Sequence, residues 1–434
     1  MFDSGHTLTD APTRPTIRPM GSRPFRRLAW LVGALLLLQS TGGVAVAHHG
    51  GRPIGALFNC DRPGVFPPRC TSVANDLRHS VFFDSTLTDS LADSLRDSLA
   101  EDYDPTALVT SVATELTRAT DVIAFSQDYG DVGAAAWVYC PPDAPQGMNA
   151  EGDRWCRMQE LHFNLNSRLA IYFEDDGSRD HVACHELGHT IGLRHWGNPP
   201  ESAEPAAATC MNADTPNGPT VLHQIDVDHI EAYHYVAPPP SRRIRLLSAP
   251  VAPVAQDPSG PMGDAGVEAL EIERFTSLRA MTAGSDAVVR GTVVSVEPGR
   301  VFGDPDRSPL HYAAVTIRAN EVLAGSLAPP GASEVILEIP LFDGPDGIDR
   351  LAATLPGGEG IFFLRSKEAS ARAAGMSPAE QQAEAGYHRL VVFGGMVGND
   401  GGTAAAGGDE LRVLSAVDGI PFADAVDLVR GASR

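Results

Sequence analysis

The sequence predicts an α+β protein, with a mixed region of helices and strands followed by a smaller all-β domain. In the first half, leucines recur every four residues among Asp and Ser, which is typical of an amphipathic helix. These residues are Leu87, Leu91, Leu95 and Leu99. Runs rich in Val, Phe and Ile predict strands on both sides of this helix. They span residues 79–84, 121–125 and 161–165.

The last third of the chain contains six short β-type runs separated by Gly, Pro and Asp. The runs span residues 287–296, 313–322, 334–339, 361–364, 390–393 and 411–414. Six strands at these spacings favour a small barrel or sandwich, with a faint similarity to five-stranded barrels of the OB or netrin-like type. Apolar residues at Phe422, Val426 and Val429 predict a terminal helix. No catalytic or metal-binding pattern is present, so this region is predicted to be a binding module or a stabilising appendage.

The 434 residues, of which 43% are apolar, suffice for two or three domains. We predict a signal peptide at 1–47, a mixed domain at 48–236, a Pro- and Ala-rich linker at 237–266 and a β-rich domain at 267–434. The signal peptide combines an arginine-rich start, an apolar run at 28–38 and a small-residue cleavage site ending at Ala47. This run is shorter than the roughly 20 residues that span a bilayer, so we expect a secreted, extracellular protein with no stable membrane anchor.

The charge balance limits the partners of the mature protein. The whole chain has a net charge of −22, and residues 1–47 contain five arginines and two aspartates, so their removal leaves −25. A strongly acidic protein is repelled by phosphate groups, which argues against nucleic acid and anionic membrane as partners. The oligomeric state cannot be inferred from these features.

Residues 185–195 have the pattern HExxHxxGxxH. His185 and His189 are four residues apart, so they lie on one face of a helix and can bind one ion. Gly192 can adopt the left-handed conformation that ends a helix, so the chain can turn back and bring in His195. Three neutral imidazole nitrogens suit zinc, with a fourth position left for water. Glu186, next to the first ligand, can reach that water.

Together with Met211 on the following loop, this pattern resembles the metzincin clan of zinc endopeptidases, of the matrixin and reprolysin type and in the secreted bacterial form. The resemblance implies a mixed twisted sheet with an active-site helix and one catalytic Zn²⁺. It also implies that Glu186 is the general base and that Met211 forms an apolar floor beneath the ligands. Some families have a tyrosine two residues after this methionine, but Ala213 occupies that position here.

The resemblance also implies a substrate-binding edge strand at residues 133–139, which include Ala134, Ala135, Ala136 and Trp137. An unpaired strand edge can bind an extended polypeptide through main-chain hydrogen bonds. We therefore expect a polypeptide substrate. The alternative is an ordinary strand inside the sheet.

Six cysteines in an exported protein predict disulfides. Sequential pairing is the simplest arrangement: Cys60–Cys70, Cys140–Cys156 and Cys184–Cys210. The last pair would tie the loop of Met211 to the start of the metal-binding helix. An alternative for Cys70 is a matrixin-like cysteine switch, in which a propeptide thiolate occupies the open zinc position, but the residues after Cys70 depart from that pattern.

An acidic cluster precedes the metal-binding motif, at Glu174, Asp175, Asp176 and Asp180. Its oxygen atoms make a structural Ca²⁺ possible. The favoured interpretation is a solvated acidic loop, because no regular spacing of the carboxylates defines a cage.

Two functions from different classes follow from these patterns. The leading hypothesis is a secreted zinc endopeptidase. The alternative is a catalytically silent secreted binding or adhesion protein that keeps the scaffold. Glu186 and the three intact histidines favour the enzyme, because a binding scaffold has no need of a general base.

Overall fold

The described part of this computed structural model covers residues 73–141, 143–148, 154–193, 195, 209–212, 218–232, 267–271, 273, 275–342, 344–406 and 412–433. The predicted signal peptide at 1–47, the pair of Cys60 and Cys70 and the linker at 237–266 lie outside these residues. All the described residues belong to one compact unit. The architecture is a mixture of helices and several sheets, as the α+β prediction required.

The first half forms its strands from the β-branched and aromatic runs seen in the sequence. The strands are β1 (Arg78–Phe83), β2 (Val109–Ala113), β3 (Val122–Gln127), β4 (Ala134–Tyr139), β5 (Gln146–Met148), β6 (Arg154–Cys156) and β7 (Gln159–Asn164). A later strand, β8 (Val267–Glu271), joins them in a sheet of order β2-β1-β3-β7-β4-β8. Strands β2, β1, β3 and β7 are parallel, whereas β4 and β8 run antiparallel to their neighbours. Strands β5 and β6 form a separate hairpin.

Three helices accompany this sheet: α1 (Asp89–Ser98), which continues into a π-helical turn (Leu99–Tyr103), α2 (Asp176–Thr190) and α3 (Gln224–Ala232). The leucine pattern of α1 is confirmed, because all four leucines are buried. Thr88 begins this helix by accepting a hydrogen bond from the Leu91 amide. Helix α1 packs against α2, so its apolar face supports the helix that carries the HExxH motif.

Burial of an ionisable group in the π-helical turn gives the fold a specific pH dependence. Burial raises the pKa of the Asp102 carboxyl from 3.8 to about 6, although the Leu222 amide and the Ser98 hydroxyl donate hydrogen bonds to it. The folded state therefore holds this proton more tightly than the unfolded state. Stability contributed at this site falls as the pH rises from 3.8 to about 6.

We expect Asp102→Asn to remove that fall in stability, because the amide keeps an acceptor oxygen without the buried charge. Above pH 6 the variant should be more stable than the wild type by up to about 3 kcal/mol, because the pKa shift is about two units and each unit corresponds to about 1.4 kcal/mol. Urea unfolding between pH 4 and pH 7 measures the difference. Asp93→Asn, at an exposed site on α1, is the control. Parallel stability curves for wild type and Asp102→Asn would contradict the expectation.

The C-terminal region contains helices as well as strands, so the prediction of an all-β domain was wrong. Its helices are α4 (Leu278–Gly284), α5 (Ile348–Thr354), α6 (Lys367–Ala373), α7 (Pro378–Ala383) and α8 (Phe422–Ala432). Its strands are β9 (Ala287–Phe302), β10 (Leu310–Gly325), β11 (Glu334–Leu341), β12 (Glu359–Ser366), β13 (Tyr387–Leu390), β14 (Met396–Asp400) and β15 (Thr403–Ala406). The run at 411–414, predicted as a strand, instead holds a 3₁₀ turn at Arg412–Leu414.

Five of these strands close into a ring. Strand β13 pairs in parallel with β11 and antiparallel with β12, and β12 pairs with β9, which continues through β10 to β11. Strands β14 and β15 extend the sheet beyond β12. Closure removes two exposed sheet edges and encloses an apolar core that includes Val315, Leu337 and Phe362.

The two halves share a buried ionic cluster. The Nε atom of Arg389 lies 2.9 Å from Oδ1 of Asp131, and Arg168 pairs with the same carboxylate. Burial alone would raise the pKa of Asp131, but the Arg389 and Arg168 guanidiniums hold that pKa below its usual value. The terminal Nη2 atom of Arg389 also lies 2.6 Å from Oε1 of Glu273, just after β8. The expected boundary at residue 267 therefore does not separate the halves, since β8 belongs to the first sheet.

Candidate metal centre

Helix α2 brings the HExxH residues into the interior. Asp175 begins the helix, because its carboxylate accepts hydrogen bonds from the Ser178 amide at 2.8 Å and the Ser178 hydroxyl at 3.0 Å. From His181 to Thr190 every residue is buried. Carbonyl oxygens of the surrounding loops lie at hydrogen-bond distance from the Nδ1 atoms of its three histidines: Pro219 for His181, Cys210 for His185 and Leu193 for His189.

The structure brings His185, His189 and His195 together. Their Nε2 atoms form a triangle: 2.9 Å separates those of His185 and His195, and both other separations are 3.0 Å. Among the residues that the structure describes, this is the only group of three side chains that could hold a metal ion. His185 and His189 are buried, and His195 is half-buried.

The opposite ring nitrogens decide which form these histidines take. Nδ1 of His185 lies 2.7 Å from the Cys210 carbonyl oxygen, and Nδ1 of His189 lies 2.8 Å from that of Leu193. A carbonyl only accepts hydrogen bonds, so each Nδ1 must carry a proton, and each neutral ring then has a lone pair on Nε2. A proton on Nε2 of His195 would form a hydrogen bond with only one of the other two Nε2 atoms, which leaves the remaining short Nε2–Nε2 contacts without a proton between them. A single cation satisfies all three, so the donor set fits a metal ion.

The turn after α2 delivers the third histidine as the sequence predicted. Gly192 has a φ of 96°, a conformation that residues with a Cβ rarely adopt. The Leu193 amide donates a hydrogen bond to the Gly188 carbonyl oxygen at 2.9 Å, which fixes the turn. The carbonyl oxygen of Leu193 accepts a hydrogen bond from Nδ1 of His189 and orients that ring. The glycine therefore places both a ligand and the partner of another ligand.

Met211 lies against α2 at Gly188. A Cβ atom added to Gly188 would be 2.3 Å from the sulfur of Met211 and 2.9 Å from its terminal methyl carbon. Met211 is fully buried, so the glycine of the motif creates the space that this side chain fills. The role of Met211 as an apolar floor beneath the three histidines stays a prediction.

Gly188→Ala should therefore destabilise the protein by about 1–3 kcal/mol, which is the usual cost of overpacking a buried site. Gly177→Ala on the same helix is the matched control, because its added Cβ would meet no atom closer than 3.4 Å. In a helix, alanine is favoured over glycine, so the control should be neutral or stabilising. Thermal unfolding of both variants measures the contrast. Equal transition temperatures would show that Met211 moves aside without cost.

A disulfide connects the helix to this floor. The structure pairs Cys184 with Cys210 and Cys140 with Cys156, as sequential pairing predicted. Cys184 precedes the first ligand, and the Cys210 carbonyl is the hydrogen-bond partner of His185. The bridge thus fixes the partner that orients a metal ligand.

Several residues that support the site were missed by the sequence analysis. Asp226 of α3 accepts hydrogen bonds from the Thr209 hydroxyl and, at 3.1 Å, from the His223 amide. The Thr209 oxygen in turn accepts from the Met211 amide at 3.1 Å. The Tyr103 hydroxyl donates to the Cys184 carbonyl at 2.6 Å. The Thr209–Asp226 and Tyr103–Cys184 contacts join positions 17 and 81 residues apart, so no local spacing in the sequence reveals them.

Glu186 follows the first ligand and is completely buried on α2. Its role in a reaction is part of the proposal below.

The acidic residues Glu174, Asp175, Asp176 and Asp180 lie immediately before α2 and in its first turns. Asp175 begins the helix, and Asp176 forms an ion pair with Arg179. In the described ranges, the acidic side chains near residue 175 form no group of three that could hold a metal ion. The structure favours the acidic-loop interpretation, and a bound Ca²⁺ stays an untested prediction.

The outer edge of β4 is already paired, which corrects the expectation of an unpaired edge at Ala134 to Trp137. Strand β4 pairs with β7 on one side and with β8 on the other. Ala134 is opposite Glu271, Trp137 is opposite Ala269, and Tyr139 is opposite Val267. This position was predicted to bind a substrate, whereas a later segment of the same chain occupies it.

The comparisons with known proteins leave the family open. No protein-family model matches the chain, and no curated protein matches it. One solved structure, "Crystal structure of myroilysin", is similar at a TM-score of 0.23 and 10% sequence identity, covering 41% of this chain and 93% of that chain. A similarity at this level is too distant to support an argument about fold or activity.

Two observations concern location. The disulfides Cys140–Cys156 and Cys184–Cys210 are consistent with an extracellular protein. Within the described ranges, no helix has the length and apolar character that a membrane crossing requires.

Proposed function

We propose that this protein is a secreted zinc endopeptidase of the metzincin type. The observation that carries the proposal is the convergence of three histidine Nε2 atoms within 3.0 Å, next to a buried glutamate on the same helix. The extended HExxHxxGxxH motif, with Met211 packed beneath its helix, supports peptide-bond hydrolysis over other reactions that use zinc.

His185, His189 and His195 would hold the zinc ion, and their donor set fits it. Zinc bound there would lower the pKa of a coordinated water and stabilise negative charge on the scissile carbonyl oxygen. The Cys210 and Leu193 carbonyls keep the rings of His185 and His189 in the tautomer with a free Nε2 lone pair. The chain therefore supplies ligands that are oriented in advance.

Glu186 is the proposed general base and acid. Its carboxylate takes a proton from the attacking water while the water oxygen bonds to the carbonyl carbon. It then gives the proton to the amide nitrogen as the C–N bond breaks, so the products are an amine and a carboxylic acid, which loses its remaining proton to the solvent or to the amine. No covalent intermediate with the protein forms. Ala213 follows Met211 where some families have a tyrosine, so no such tyrosine from this turn assists the reaction.

The alternative function, a silent binding or adhesion protein, is favoured by one observation. The β4 edge that an enzyme of this type would offer to substrate is paired with β8. An intact proton-transfer group favours the enzyme, so the two hypotheses differ in whether the metal-loaded protein cleaves polypeptides at all.

The test uses the purified, zinc-loaded protein with casein, with and without a metal chelator, and His195→Ala as a variant. We expect cleavage that stops with chelator, returns when zinc is added and is absent in His195→Ala. Metal analysis should show about one zinc per chain in the wild type. Absence of cleavage by the folded, zinc-loaded protein and by a variant with β8 displaced would favour the binding protein.

A further inference from the structure

The segment that covers β4 is placed to control access to the metal centre. We propose that β8 (Val267–Glu271) is an internal strap, and that an extended polypeptide pairs with β4 only after β8 has left it. The inference rests on the proposed peptidase function, because that function gives the β4 edge its role. It adds a regulatory element that the motif does not contain.

The position of β8 coincides with the one that a substrate requires. Helix α2, which carries His185 and His189, contacts both β4 and β8. A chain paired with β4 therefore runs beside the metal-binding helix. A polypeptide added outside β8 would lie one strand spacing further away, about 4.8 Å. Reacting atoms must approach within about 3.5 Å, so an extra strand spacing separates the scissile bond from the ligands.

The attachment of β8 is limited. It has a register of four residue pairs with β4, and this register is irregular between Ala134 and Trp137. In the described part of the sheet, β8 is the last strand, so only one neighbour holds its backbone. Short terminal strands with few hydrogen bonds open at a lower free energy than central strands. Strand β8 can therefore leave without loss of the five-stranded ring.

Glu273, the second residue after β8, anchors the strap to the five-stranded ring. Glu273 lies 3.1 Å from Nε of Arg365 and 2.6 Å from Nη2 of Arg389. Arg389 is held by Asp131 at the same time. The C-terminal end of the strap is thus fixed by two cations, while β4 is the one described strand with which its backbone pairs. Weakening this anchor should raise the fraction of molecules with an open edge.

The test compares two double variants in the full-length, zinc-loaded protein. Successive residues of a strand direct their N–H groups to opposite edges, so Glu268→Pro with Ala269→Pro removes at least one donor that faces β4. The control, Glu268→Gln with Ala269→Ser, keeps both donors and removes the same charge. The probes are an extended peptide hydroxamate, which needs both the metal and the β4 edge, and acetohydroxamate, which needs only the metal.

We expect the proline variant to bind the peptide hydroxamate about tenfold or more tightly than the wild type, because apparent affinity scales with the fraction of open molecules. Acetohydroxamate should bind equally to all forms. Hydrogen exchange of the β4 amides should be faster in the proline variant without a ligand, and casein cleavage should increase. The control should resemble the wild type in every measurement.

Two results would overturn the strap. Equal peptide binding by wild type and proline variant would show that β8 does not block the edge. Weaker binding by the proline variant would show that β8 itself is the strand with which a ligand pairs. If the proline variant fails to fold, the same measurements are made on Glu273→Gln. Tighter binding of the peptide hydroxamate together with faster hydrogen exchange of the β4 amides would support the proposal that β8 is a strap, and unchanged values would contradict it. Failure of the proposed peptidase function would give a different result from failure of the strap. In that case casein would stay intact in every form, although the proline variant would still bind the peptide hydroxamate more tightly.

Discussion

Replacing Glu186 with Gln should reduce peptide-bond hydrolysis by about three orders of magnitude, within the usual range for loss of a general acid and base. The amide has nearly the same shape as the carboxylate, but it cannot accept the proton of the attacking water. The three histidine ligands and their carbonyl partners are unchanged, so zinc content should equal that of the wild type. Substrate turnover and metal analysis on the same samples measure both quantities.

The matched control is Glu174→Gln, which removes the same charge from an exposed position before α2. It should retain the activity of the wild type. Retained hydrolysis in Glu186→Gln would exclude this residue as the general base. Loss of zinc in the same variant would instead show that Glu186 supports the metal site, and the loss of activity would then say nothing about proton transfer.

Removal of the Cys184–Cys210 disulfide should have the second large effect. The bridge closes a loop with a sequence separation of 26 residues, so Cys184→Ser with Cys210→Ser should lower the free energy of unfolding by about 3–4 kcal/mol. The loop of Met211 is then no longer tied to α2, and the Cys210 carbonyl holds His185 less firmly. Loss of such a hydrogen-bond partner weakens zinc binding by about 10- to 100-fold.

The other disulfide separates these two effects. Cys140→Ser with Cys156→Ser opens a loop with a separation of 16 residues and should cost about 3 kcal/mol. It lies at the end of β4 and touches no histidine ligand, so zinc affinity should be unchanged once the protein is folded. Competition with a fluorescent zinc chelator measures the affinities. Equal zinc affinities in the two double variants would show that Cys184–Cys210 stabilises the fold without orienting a ligand.

The convergence of the three histidines was predictable because it depends on local spacing. Positions 185 and 189 share a helix face whatever surrounds them, and Gly192 has to provide the positive φ that brings in His195. The leucines of α1 follow the same logic. Each of these features depends on no more than 13 consecutive residues, so the pattern is complete within the sequence itself.

The partners of these local elements were not predictable. Nothing near Asp226 indicates that it holds Thr209, and nothing near Arg389 indicates a buried aspartate 258 residues earlier. The short run at 267–271 was assigned to the second domain by its position after the linker. Its place beside β4 depends on the register of a sheet assembled from both halves, and a pairing at that distance leaves no periodic trace.

The shared cluster of Asp131, Arg168 and Arg389 has a consequence for the order in which the molecule is made. At roughly 5–20 residues per second, Arg389 is synthesised about 10–50 s after Asp131, and Glu273 is made in between. During that interval the histidines and Glu186 already exist, but the cluster lacks its central arginine. The ionic cluster between the two halves, which also holds Glu273 at the end of the strap, is therefore the last part of the proposed peptidase to form. A nascent chain ending before Arg389 should remain sensitive to added protease, and early resistance would show that the first half matures alone.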